Sequence, residues 1–417
     1  MATQPFIPGS SQPVGGAPHI RRTWRGELGV WWREIDRVLL ALVLVLMAIG
    51  TLAVAVASPA SAQRLSTAHV RLNDLHFLVL HLRWQAFGLA AMFGASRLSR
   101  DTARRTGIVL GFAMLFALML VPIMGTSVNG AKRWLNLGMS LQPSEFMKPA
   151  FAIVLAWILS WRLRDPRLPV MAVATGIMVL IGGLLMAQPD FGSTVLFAGV
   201  WFVMMFQSGL SMRRVAAAAG AGVFGLALAY MFYGNARHRI DAFLGGGTAY
   251  DQVDIAKHTL LAGGWTGTGL WLGTHKLSLP EAHTDYIFSV IGEEGGLIAC
   301  TVIVLLYFAI IFRVLVRLVK EEDLFTVLAA TGLVAQLGGQ AFINILVNLQ
   351  LFPSKGMTLP LISYGGSSTI ALCLGVGFLL AITRRNPFLS RDPFSRRVNA
   401  HKTPAKFAPK TPTGARQ

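Results

Sequence analysis

A chain of 417 residues that is 54% hydrophobic and only 13% charged, with a mean hydropathy of +0.57, lies outside the soluble globular range, where about a quarter of residues are charged. The formal net charge of +18 is scattered over short segments between apolar runs, so no folded basic face emerges and nucleic acid is not an expected partner. Cys300 and Cys373 both fall inside apolar runs, which leaves neither a disulfide framework nor a cysteine metal cluster.

Taken in chain order, the apolar runs lie at 38–57, 77–96, 106–124, 146–162, 169–187, 191–209, 215–233, 286–312, 324–348 and 367–383. Each approaches the roughly 20 residues a membrane span needs, and runs of this length are helices, because barrel strands would be short and alternating. The first run begins near Val38 and is long enough to stay in the bilayer, so no cleavable signal peptide is expected. With both termini cytoplasmic, and Arg162 at the end of the fourth run counted inside, the inside segments hold 26 of the 37 Lys and Arg residues, the outside loops 9 and the spans 2. The expected fold is therefore an all-α polytopic membrane protein of about ten transmembrane helices, N-in and C-in. One large extracytoplasmic loop, 234–285, separates spans seven and eight. Basic segments 1–37 and 384–417, rich in Pro, Ser, Arg and Lys, read as flexible cytoplasmic tails around a membrane domain at 38–383, and they suit contact with anionic lipid or a cytoplasmic partner.

Four outside segments concentrate polar chemistry. Residues 125–148 carry Lys132 and Arg133 beside Trp134, then Pro143, Ser144 and Glu145, an order that suits a helix start with Ser144 as cap and Glu145 on the dipole. The plainer reading makes Trp134 an interface anchor and the cations lipid contacts. Residues 187–194 form a tight turn in which Asp190 reads as the cap of the following span. The large loop offers Arg237, His238 and Arg239, an amphipathic stretch at 251–261, and a glycine run at 263–273 read as its moving part. Trp265 and Trp271 there suit docking on the membrane surface, and Lys276, Glu281, His283 and Asp285 follow. Residues 351–368 carry Pro353, Pro360, Gly365 and Gly366, which predict a folded-back loop. Arg83, Lys148, Glu293 and Glu294 fall within spans, and Lys148 or Arg83 is the expected partner of Glu293 or Glu294. Asp285 draws most interest, since an acid at the lip of a membrane helix is both held and reached by water.

The segments GAKRWLNLG (130–138), QPSEFMK (142–148), QPDFGST (188–194), LPEAHTDYIFSVIGEEGG (279–296) and KGMTLPLISYGGSS (355–368), in this order, resemble the SEDS family (shape, elongation, division and sporulation) of peptidoglycan glycosyltransferases. The resemblance covers about 37–385 and is closer to the division member of the family than to the elongation member. Tyr286 stands where Phe is frequent, and Met357 where Leu is frequent. It implies ten helices, polymerisation of lipid II outside the bacterial cytoplasmic (inner) membrane at the division septum, and an essential acid at Asp285. It also implies a class B penicillin-binding transpeptidase of the FtsI type as partner, beside other division-complex membrane proteins.

On this reading Asp285 is the base for the acceptor hydroxyl, or else the ligand of a divalent cation, Mg2+ or Mn2+; no organic cofactor is implied. Lys132, Arg133, Arg237 and Arg239 are the candidate diphosphate clamps, with Lys355, Ser363, Tyr364 and Ser367 as further candidates for diphosphate and sugar. Glu145, Lys148, His283, Glu293 and Glu294 are expected to support the site. Two other classes compete: a lipid II flippase, which should place polar groups near the midplane, and a non-catalytic division scaffold.

Overall fold

A computed structural model of the chain describes residues 24–66, 71–128, 131–136, 138, 140–209, 211–245, 251–353 and 356–385. Of the terminal segments one element is described, the helix α1 (Trp24–Glu34), inside the stretch expected to be a flexible tail. The compact unit Ile35–Arg385 begins with α2 (Arg37–Leu65), α3 (His76–Ser96) and α4 (Arg100–Met124). A small antiparallel meander follows, β1 (Thr126–Val128), β2 (Ala131–Asn136) and β3 (Ser140–Leu141). Then come α5 (Pro143–Ser160), α6 (Val170–Ala187), α7 (Phe191–Gln207), α8 (Met212–Phe232), α9 (Gly234–Phe243), α10 (Asp251–Ala262), α11 (Ile287–Leu318), α12 (Leu324–Asn348) and α13 (Gly366–Ile382).

Every one of the ten apolar intervals is occupied by a helix, and seven of these helices (α2 to α6, α11 and α12) are long and apolar enough to cross a membrane. Helices α7 and α13 are apolar but shorter. The meander carries no apolar periodicity and is invisible to that pattern.

Short polar residues start α2, α4, α7 and α12. Asp36, Ser99, Asp190 and Asp323 each accept a backbone N–H of the first turn, as expected for Asp190. Helix α5 departs from expectation: Gln142 holds the cap position without a side-chain bond to the first-turn backbone, and Pro143 supplies the first helical φ. Ser144 lies within the first turn and accepts from Gln142 Nε2 at 3.0 Å. In the core α3 packs along α13 and α5 along α12, while Phe151 of α5 meets Phe197 of α7 edge-on at 5.0 Å.

Helix α11 is broken. Gly296 has φ 66° and ψ −168°, a conformation essentially confined to glycine. The break frees backbone groups that an apolar surround would leave unsatisfied, and the segment after α10 takes them up. Thr268 donates to Glu293 O through N–H and Oγ1 at 2.8 and 3.0 Å, and Gly269 N–H donates to Glu294 O at 3.1 Å. Leu297 and Ile298 N–H donate to the carbonyls of Gly264 and Trp265 at 2.9 and 3.2 Å. In this structure the glycine run at 263–273 is a clasp seated in the break of the helix.

At the far end of α11, Arg313 and Arg317 meet the buried Asp36 at 2.9 and 2.6 Å, tying the start of α2 to the end of α11. Burial pushes the Asp36 carboxyl up, but the Arg313 bond, the Leu39 amide and Arg317 outweigh it and hold it below the usual carboxylate value.

A Cβ at Gly296 would stand 2.4 Å from Gly267 N and Trp265 O. Gly296→Ala is therefore expected to destabilise the protein by about 3 kcal/mol, from backbone strain and overpacking together. Thermal unfolding in detergent measures this, and an unchanged midpoint would show that the clasp does not hold the break.

Candidate active site

Asp285 lies two residues before the first residue of α11, at the close of a tight turn in which Thr284 and Tyr286 N–H both donate to Glu281 O at 3.1 and 3.3 Å. Leu279, Ala282 and Tyr286 are buried and fasten the turn, while Asp285 itself is half-buried. Its carbonyl is held from α12. Asn344 Nδ2 donates to it at 2.8 Å and Asn348 Nδ2, one helical turn on, at 3.2 Å.

The proline-rich segment between α12 and α13 folds back onto the same place, as expected. Asn344 Nδ2 also donates to Met357 O at 2.7 Å, and Gln340 Nε2 donates to Thr358 O at 3.0 Å. A Cβ at Gly356 would lie 3.4 Å from Asp285 Oδ2, so this stretch of backbone borders the carboxylate. Ser363, expected at a sugar, is spent on main chain: its Oγ donates to Thr284 O at 2.6 Å and accepts from Leu359 N–H at 2.8 Å.

Lys148 supports this arrangement from α5. Its Nζ donates to Glu145 at 2.8 Å and to Gln340 Oε1 at 3.0 Å, and all three side chains are buried. The expected pairing of Lys148 or Arg83 with Glu293 or Glu294 does not form. Glu145, three residues from Lys148 on one helix face, reaches it first, and Arg83 is exposed. Glu294 instead pairs with Lys276, which the clasp carries back to α11. Glu293 accepts from His275 and Lys276 N–H at 2.7 and 2.9 Å. These two acids are thus anchors of the loop that leads to Asp285.

His283 packs in a cluster with Phe77, at 4.1 Å between ring centres, and Tyr364, at 5.4 Å, the rings tilted to one another. Burial pushes its imidazole down to about 4 against the opposing pull of Glu281, so it is neutral at pH 7 and serves as an aromatic wall. Tyr364 N–H donates to His283 O at 2.9 Å, joining the two loops again. Burial pushes the Tyr364 phenol up, with a hydrogen bond from Trp84 opposing. Ser367 is buried, and its Oγ has no hydrogen-bond partner among the described residues.

The expected cationic clamps are only partly brought together. Arg133 Nε donates to Gln188 O at 3.0 Å and Nη2 to Pro189 O, with Asp190 3.8 Å from the guanidinium. This cation fastens the meander to the α6–α7 turn, because three acceptors there match its planar fork. Lys132 on the same strand is exposed. Arg237 belongs to α9, where it pairs with Asp241 at 3.6 Å and lies over Tyr230. Only the backbone of Arg239 is described, and Lys355 lies outside the described residues. Among the described residues no group of three or more His, Cys, Asp or Glu side chains is placed to hold a metal ion. Between α2 and α11 an apolar cavity of about 250 Å³ is lined by Leu52, Val56, Leu270, Val302 and Ile303, with Glu294 at its wall.

The residues that sequence reading missed are Gln340, Asn344, Asn348 and Gly356. Asparagines at i and i+4 inside an otherwise apolar span were the available signal.

Lys276→Met should cost about 3–5 kcal/mol in thermal unfolding, since it leaves the Glu294 charge buried without its partner. The double variant Lys276→Met with Glu294→Gln should recover much of that loss. Equal losses in single and double variants would show that charge pairing is not the cause.

For His283 the folded value near 4 lies below the ordinary 6.5, so the unfolded state binds more protons between these two pH values. Its contribution is present above pH 6.5 and is lost as pH falls towards 4, on the order of 3 kcal/mol in all. His283→Phe should flatten this acid limb in unfolding measured against pH; a wild-type acid limb in the variant would remove His283 as its cause.

The fold and site together define an integral membrane protein, a helical bundle in which one half-buried carboxylate is fixed at the mouth of a broken helix. The family described as "Cell cycle protein", which takes in FtsW, RodA and SpoVE, matches residues 36–387, and the chain belongs to it, in agreement with the SEDS resemblance. The chain is 35% identical over 368 residues to a "Probable peptidoglycan glycosyltransferase FtsW" of Caulobacter vibrioides, covering 88% of this chain and 93% of the relative. It is 36% identical to the protein of the same name in Aromatoleum aromaticum, covering 84% and 88%. Among solved structures it is similar to a chain from "Structural coordination of polymerization and crosslinking by a peptidoglycan synthase complex", at TM-score 0.70 and 28% identity, covering 84% and 98%. It is also similar to the rod shape determining protein RodA of Thermus thermophilus, at TM-score 0.63 and 28% identity, covering 84% and 97%.

Proposed function

We propose that this protein is a peptidoglycan glycosyltransferase that polymerises lipid II into glycan strands during cell division, releasing undecaprenyl diphosphate. The observation that carries the reading is the placement of Asp285: a half-buried carboxylate at the start of α11, its main chain held by Asn344 and Asn348 and its Oδ2 bordered by Gly356. The names of the relatives and the motif match at 279–296 support it.

In this mechanism Asp285 accepts the proton of the acceptor's N-acetylglucosamine 4-hydroxyl while that oxygen attacks the donor's anomeric carbon. The carbon–oxygen bond to the diphosphate breaks with its electron pair, and α becomes β. Ordinary glycoside hydrolysis uses a second carboxyl to protonate the leaving oxygen. A diphosphate departs as a stable anion and needs positive charge instead, so one base suffices. Lys132, Arg239 and Lys355 are the proposed cations for it, Arg133 and Arg237 being engaged elsewhere. A divalent cation, Mg2+ or Mn2+, would add charge neutralisation at the phosphate oxygens; were Asp285 its ligand, that role would replace the one as base. The apolar cavity between α2 and α11 suits a prenyl chain, with Trp265 and Trp271 exposed nearby on the clasp.

The proposed setting is the bacterial inner membrane at the septum, with ten spans, both termini cytoplasmic and the loop 234–285 outside between spans seven and eight. A class B transpeptidase and other division proteins are the proposed partners. The similarity to a chain of a peptidoglycan synthase complex supports such an assembly.

Asp285→Asn keeps volume and removes the base. It should abolish glycan strands formed from lipid II by the purified protein, read on a gel, while membrane accumulation stays near wild type. Activity within a few-fold of wild type would remove Asp285 as base and as metal ligand.

A further inference from the structure

The carboxylate of Asp285 is carried by a loop, and a loop carboxylate is only as well placed as its main chain. Two side chains set that main chain. Asn344 and Asn348 lie one turn apart on the same face of α12 and are 2% and 0% exposed. Both amide nitrogens are engaged. Asn344 Nδ2 divides its two hydrogens between Asp285 O at 2.8 Å and Met357 O at 2.7 Å, bridging the acid-bearing turn to the proline-rich loop. Asn348 Nδ2 reaches Asp285 O at 3.2 Å and Asn344 O at 2.9 Å. Asn348 Oδ1 accepts Ser289 N–H and Oγ at 3.2 and 2.8 Å, which fixes the first turn of α11.

A fold that needed only a packed helix here would place leucines, since each buried amide must have every donor and acceptor matched. The pair instead connects the three elements that meet at Asp285: its own turn, the first turn of α11, and the loop whose Gly356 borders Oδ2.

We infer that Asn344 and Asn348 are positioning residues, holding the Asp285 carboxylate in the geometry in which it takes the acceptor's proton. This rests on the reading of Asp285 as general base. The pair acts through the main chain and touches no reacting atom. Its loss should therefore lower turnover with little effect on substrate affinity, because a displacement of the order of 1 Å at a reacting group is enough to cost about a hundredfold.

The test uses the full-length protein in detergent with lipid II as substrate, comparing wild type, Asp285→Asn, Asn344→Leu, Asn344→Ser and Asn348→Ser. Leucine keeps the Cγ branching of Asn344 without its bonds, and serine leaves room for water to satisfy the freed carbonyls. The expected result is turnover lowered by roughly 10- to 100-fold in the asparagine variants, with KM within about threefold of wild type and an unfolding midpoint near that of wild type for at least the serine variants. Turnover within about twofold of wild type in Asn344→Leu and Asn344→Ser, while Asp285→Asn is inactive, overturns the inference and leaves the base assignment standing. Loss of turnover only in proportion to loss of folded protein overturns it as well, making the pair scaffold. A rise in KM with turnover unchanged also overturns it, placing the pair in binding. Activity in Asp285→Asn overturns the reading beneath it.

Discussion

Two amide groups of α12, on Asn344 and Asn348, converge on a single carbonyl, that of Asp285, and the geometry of the whole site end depends on that junction. In an apolar bundle a backbone carbonyl without a partner is costly, so irregular chain persists only where something supplies donors. Here the donors come from a rigid helix. The two loops that border the acid, 279–286 and 356–365, are therefore set by α12 and not by their own turn propensities. Gln340, Asn344 and Asn348 are spaced by four residues, so one face of α12 presents a column of amides to both loops. Lys148 continues the column into α5, with Glu145 balancing its charge.

The second constraint is the broken α11. A continuous helix would satisfy itself and ignore the loop beside it. The break at Gly296 creates a demand for hydrogen bonds that the clasp meets, and Glu293 and Glu294 then reach past the break to seize the main chain at Gly273, His275 and Lys276. The path from α10 to Asp285 is thereby tied down in two places before it enters the turn. A long loop of glycines and small turns becomes a well-placed support, because its entropy loss is offset by backbone groups that had no other partner.

Much of this was open to reading from the amino-acid order. The apolar runs locate the helices because a buried helix of bilayer length needs about 20 apolar residues whatever its neighbours are. Asp190 as a cap, the folded-back loop with Pro353 and Pro360, and Asp285 at a helix mouth follow from local chemistry acting over a few residues. The motifs at 130–138, 142–148, 188–194, 279–296 and 355–368 were enough to place the chain in its family. Local chemistry also misled at Ser144, where Gln142 and Pro143 open the helix two residues earlier than the serine suggested.

Partner choice was decided only by the tertiary structure. Arg133, Lys148, Glu293 and Glu294 are each charged groups in apolar surroundings, and each had to find an opposite charge or a carbonyl; composition states the need without naming the partner. Lys148 met Glu145 and Gln340, Glu294 met Lys276, and Arg133 met the carbonyls of Gln188 and Pro189, because bundle geometry and the break in α11 carried those groups together. The asparagine pair belongs to the same class. Residues 59 and 63 positions from Asp285 in the chain hold its carbonyl, a contact that no local pattern specifies, since it exists only once α12 lies beside the first turn of α11.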